Sequence, residues 1–110
     1  MTRQHPHAHR INSSEQVVIG ATSAQSGTCP FGTGIAHIKA HGTSGSPSNF
    51  FKVGGNPTAT TDGTSSFIHD NETIYVIVRP DSSLGAGDGE KIATINTSGS
   101  AILYIDWVES

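Results

Sequence analysis

The residues best equipped for chemistry stand near the start of the chain. His5, His7 and His9 alternate with Pro6 and Ala8. In an extended backbone, residues two apart point to the same side. Three imidazoles on one side can converge on zinc, nickel or iron, and a symmetric oligomer could bring several such sets together. No aspartate, glutamate or cysteine stands beside them to complete a fixed ligand set. The simpler expectation is a polar arm with no resident metal and no cofactor. In that reading His5, His7 and His9 join Arg3 and Arg10 as contacts to a partner surface.

Other chemical signals resolve into blander readings. Asp81, Asp88 and Glu90 surround a glycine-rich stretch, but the acidic spacing of an EF-hand calcium loop is absent, so a solvated turn is expected. The same stretch lacks the glycine–lysine spacing of a phosphate-binding loop. No serine sits in a G-x-S-x-G elbow. His37, His41 or His69 could each orient a serine, as chance pairs in a serine-rich chain. Asp106 and Glu109 flank Trp107, yet no partner carboxylate can be placed at a glycosidase separation. No catalytic residue is assigned, and the chain is expected not to be an enzyme. Six Lys and Arg are scattered through a chain of net charge -3, which argues against nucleic acid. No apolar run nears the ~20 residues of a membrane helix, and the first residues lack a secretory apolar core. The lone Cys29 suggests folding in a reducing cytoplasm.

These residues need a scaffold, and composition indicates which kind. Ser, Thr and Gly make up 39 of 110 residues, and charged residues only 14%. Ile and Val total 17 against 2 Leu. Such a balance excludes a helical bundle or coiled coil and favours short strands joined by polar turns. Strands are expected over residues 16–21, 34–40, 49–53, 73–79, 91–96 and 100–108, with a short edge at 67–68. Both faces of 73–79 are largely apolar, which predicts a central strand covered on both sides. Thr97, Ser98 and Gly99 read as a hairpin turn. No segment carries a helical period. The expectation is an all-β, single-domain β-sandwich, jelly-roll-like, over residues 15–110, preceded by an extended N-terminal arm over 1–14. Large apolar side chains are few, so self-association should add stability.

One stretch carries a family likeness. Val53-Gly54-Gly55-Asn56-Pro57-Thr58-Ala59-Thr60 precedes a polar stretch and an extended strand. Glu90-Lys91-Ile92-Ala93-Thr94-Ile95 follows, then a Ser-Gly turn and a closing strand. This layout resembles small virion structural proteins of tailed bacteriophages, including capsid decoration (cement) proteins. The resemblance runs from Val53 onward and covers roughly the last 55 residues. It departs from the pattern in a longer loop over 80–89, and the His-rich arm has no counterpart. It implies a non-enzymatic β protein on the capsid surface, made in the host cytoplasm. The implied partners are the major capsid protein and further copies of itself, a trimer being expected first, with neither nucleic acid nor membrane. Arg3, His5, His7, His9 and Arg10 would then touch the capsid. The alternative is a receptor- or carbohydrate-binding module of a tail fibre or spike. That module would display Tyr75, Tyr104 or Trp107, although each sits in an apolar strand and reads more simply as core.

Overall fold

Among the described residues the chain builds eight strands and no helix. The structure is a computed structural model that describes residues 10–44, 48–83, 87–97 and 99–109. The strands are β1 (Ile11–Ile19), β2 (Ala24–Gln25), β3 (Ile35–Ser44), β4 (Asn49–Gly54), β5 (Ser66–Ile68), β6 (Thr73–Ile77), β7 (Lys91–Asn96) and β8 (Ser100–Val108). They form two four-stranded sheets, ordered β1-β8-β3-β6 and β2-β7-β4-β5. Every named pairing is antiparallel.

The pairing follows one simple rule. β1 joins β8, β2 joins β7, β3 joins β6, and β4 joins β5. A single long hairpin, with β4–β5 at its tip, is thus wound into a sandwich. The pairs β3–β8 and β4–β7 close each sheet. This is the eight-stranded jelly-roll order. The expected all-β sandwich is present, and most strands lie near their sequence positions.

Four local expectations change. Residues 11–14, read as the end of the arm, are strand: Ser14 pairs with Asp106 in β8. Ala24 and Gln25, inside an expected loop, form the short β2. The turn after Asn96 is not a hairpin, because β7 and β8 lie in different sheets. It is a corner, and Gly99 takes a φ of 80° there, a backbone region that glycine enters without strain. Finally, the strand at 73–77 is an edge, not a centre. Its outer face stays exposed, so two apolar faces did not mean two covered faces.

The core lies between the sheets. Residues alternating along β8 (Ala101, Leu103, Ile105, Trp107) and β3 (Ala36, Ile38, Ala40) point inward and are buried. They meet Phe51, Ile68 and Ile92 of the second sheet. Each large aliphatic side chain contributes roughly 1.5–3 kcal/mol on burial. Glu15 also faces inward, at the margin. Its carboxylate accepts the Trp107 indole N–H at 2.7 Å and the Gly27 backbone N–H at 2.9 Å, tying β1 to β8 and to the chain beyond β2.

Candidate functional site

Antiparallel register lines up outward residues in rows across the strands. On the first sheet one row reads Ser14, Asp106, His37, Tyr75 through β1, β8, β3 and β6. The next reads Gln16, Tyr104, Lys39, Thr73. Above them lie Val18, Ile102 and His41; below them, Ile35 and Ile77. Parity along each strand aims these side chains away from the core.

This face is bare. Ile77 is 88% exposed, Val18 71% and Tyr75 56%. The sequence expectation that Tyr75 and Tyr104 were core is therefore corrected, while Trp107 is core as expected. One signal could have found the two tyrosines. Tyr104 shares its parity with Asp106, Tyr75 shares its parity with Arg79, and on β3 His37 and Lys39 fall on one face. Charged neighbours at that spacing mark a face turned to water.

The polar row is internally connected. Ser14 Oγ donates to Asp106 Oδ1 at 2.6 Å, and His37 Nδ1 lies 3.7 Å from Asp106 Oδ2. The His37 ring stacks on Tyr75 with centroids 4.5 Å apart. A shallow recess of about 140 Å³ opens over β1 and β8, lined by residues including Ser14, Gln16, Tyr104 and Asp106. Serine, histidine and aspartate meet here, but in the wrong order for nucleophilic catalysis. Activation needs the hydroxyl to donate to the imidazole, with the carboxylate behind it. Here the hydroxyl donates to the carboxylate. The arrangement can hold hydroxyl, amide and apolar groups laid flat on it.

The other candidates have structural occupations. His41 Nδ1 lies 2.7 Å from Asn71 Oδ1, and His69 packs edge-on against Phe67. Neither contact involves a serine. Asp81 accepts from Gly89 N–H at 2.6 Å and from the Thr28 hydroxyl at 3.0 Å. Asp88 accepts from Ser82 N–H, and Glu90 from Arg79 N–H. These acids knot the loop between β6 and β7. The knot also demands glycine at 89, since a Cβ there would lie 2.6 Å from Asp81 N. The Gly89 N–H bond is the main reason the Asp81 carboxyl titrates below its ordinary value. Cys29 is fully buried, and burial pushes its thiol up, away from reactivity. No group of three His, Cys, Asp or Glu among the described residues could hold a metal. Arg3, His5, His7 and His9 lie outside the described residues. Arg10 is exposed, and its carbonyl accepts the Glu109 N–H at 2.9 Å.

Comparison with protein-family models, with curated proteins and with solved structures finds no match.

Proposed function

We propose that this chain is a structural protein of a tailed-phage virion, which decorates the capsid and cements junctions between major capsid subunits. One observation of the geometry carries the reading: a flat, charge-poor four-stranded face that leaves Val18, Tyr75 and Ile77 in water. Tyr75 and Ile77 stand as neighbours on β6, an exposed apolar surface that a partner could cover. The family likeness from Val53 onward points the same way. The mechanism is adhesive and has no chemical step, in keeping with a serine that faces a carboxylate instead of a base. Weak contacts repeated over a symmetric shell add up through effective concentration. Arg3, His5, His7, His9 and Arg10 supply further capsid contacts in this reading. A reconstruction of the virion tests it. Density for the sandwich at junctions between capsid subunits is expected. Density confined to the tail vertex would refute the decoration role.

A second reading has its own observation. Tyr75 and Tyr104 are exposed beside Asp106, Gln16 and Lys39. Aromatic faces with hydrogen-bonding neighbours suit sugars as well as proteins, so a carbohydrate- or receptor-binding module of a tail fibre or spike is the alternative. Glycan-array binding lost in Tyr75→Ala, with the fold retained by circular dichroism, would favour it.

A further inference from the structure

We infer that the outer face of the β1-β8-β3-β6 sheet pairs with the same face of a second copy of this chain, about a twofold axis. The reason is the placement of its charges. Within the paired strands of that face the acidic and basic side chains are Lys39 and Asp106, with Arg79 lying beyond the end of β6. Lys39 lies opposite Tyr104, and Asp106 opposite His37, so the two charges are diagonal neighbours across the β3–β8 ladder. Lys39 makes no ion pair among the described residues. Consider a twofold axis lying in the plane of contact, at right angles to the line from Lys39 to Asp106. It sets Lys39 of each copy over Asp106 of the other, twice. A face carrying one charge of each sign, set apart in this way, is complementary to itself.

The surrounding residues suit that occupant. Exposed Val18 and Ile77 at opposite corners have nothing to offer a sugar, but they lose water favourably against protein. The area sets the strength. Four strands at ~4.8 Å spacing, with four rows ~6.8 Å apart, cover roughly 500 Å² in projection. Standard interfaces bury about 800 Å² on each partner. An area below the standard points to a weak pair that dissociates on dilution. This proposal does not depend on the capsid, and it assigns to a second copy the face that the proposed function offers to the shell, so the two readings compete for it. In this proposal a twofold pair replaces the trimer expected from the sequence.

Sedimentation equilibrium of the full-length chain over a concentration series tests it. A monomer–dimer equilibrium is expected. A monomer at all concentrations up to about 1 mM, or a trimer, overturns the proposal. Lys39→Asp and Asp106→Lys should each weaken self-association by about tenfold or more, because each sets like charges in contact. The decisive measurement mixes the two variants. A twofold contact restores both opposite-charge pairs in the mixed species alone, so a heterodimer should form at wild-type strength. If the mixture stays monomeric while each variant keeps its fold by circular dichroism, the face does not pair with itself. That failure would leave the capsid reading standing, since the virion reconstruction tests it separately.

Discussion

The two sheets of the sandwich present their outer faces to very different surroundings. On the second sheet, residues 55–65 leave β4 and reach across to β2 before returning to β5. Gln25 of β2 donates to the Pro57 carbonyl at 2.7 Å and to Asn56 Oδ1 at 3.0 Å, and Ser23 Oγ accepts the Ala59 N–H at 2.9 Å. Ala93 lies between Gln25 and Lys52 on the outward side of β7, yet it is fully buried. Pro57 and Ala59 are buried with it. On the first sheet the described outward residues from Val18 to Ile77 are exposed or half-buried, and Val108 at one end is the buried exception. The lesson is that one jelly roll can cover part of one outer face from within the chain, around Ala93, while Phe67 at the far edge of that sheet and most of the other face stay in water.

The largest effect should come from breaking the covered side. Ala93→Asp would place a carboxylate where no water reaches, and Lys52 opposite it on β4 offsets only part of the cost. An unpaired buried charge costs about 3–5 kcal/mol, a large part of what a small domain has. Urea unfolding should show a midpoint shifted sharply down or no cooperative transition. A shift near zero would mean that residues 55–65 are not a lid.

Much of this contrast was legible in the residues, and its missing part has a physical cause. Alternation is legible in 34–40 and 100–108, where Ala36 and Ile38, and Leu103 and Trp107, fall on one face of their strands, because strand parity is local. The arm boundary failed at Ser13 and Ser14, since polar outward residues look the same in a loop and on a strand margin. The corner at Thr97–Gly99 was misread as a hairpin because short turns do not encode which sheet receives the next strand. Residues 73–77 were misread for a deeper reason. Burial depends on what else packs there, and Ile74 and Val76 cannot be told from Tyr75 and Ile77 by hydropathy. The bare face was therefore hidden in the sequence as an apparently central strand, while the acids at Asp81, Asp88 and Glu90 were rightly read as turn-makers.

A smaller effect isolates the tether. Gln25→Ala removes two hydrogen bonds to residues 56 and 57 and leaves the strand itself alone. The expected loss is about 1–2 kcal/mol, read from the urea midpoint. Amide exchange should quicken at Ala59 and at residues near it, while Leu103 and Ile105 in the first sheet keep their protection relative to global unfolding. Uniform acceleration would show that the lid and both sheets open as one unit.

The lid also carries a pH dependence. Asp62 accepts from the Thr60 hydroxyl at 2.7 Å, the Thr64 hydroxyl at 2.8 Å and the Thr64 N–H at 3.1 Å. These bonds, the Thr60 hydroxyl first, hold its carboxyl below the usual aspartate value. A depressed folded value means the stabilisation is complete above the unfolded pKa of about 3.9 and is lost as pH falls through the folded value. Wild type should lose more melting temperature than Asp62→Asn on acidification from pH 5 to below about pH 3. Equal losses would remove Asp62 from the account.

The smallest effect on stability falls on the bare side, and its smallness is the point. Ile77→Asp replaces an aliphatic side chain that is 88% exposed. Since Ile77 is already in water in the isolated chain, the unfolding free energy should change by no more than about 0.5 kcal/mol. The same aspartate differs by several kcal/mol between positions 93 and 77, though both lie on outward faces. Only the presence or absence of a covering segment separates them. If Ile77→Asp proved as damaging as Ala93→Asp at low protein concentration, something within the chain would have to cover Ile77. If the penalty grew with protein concentration, the cover would be another copy.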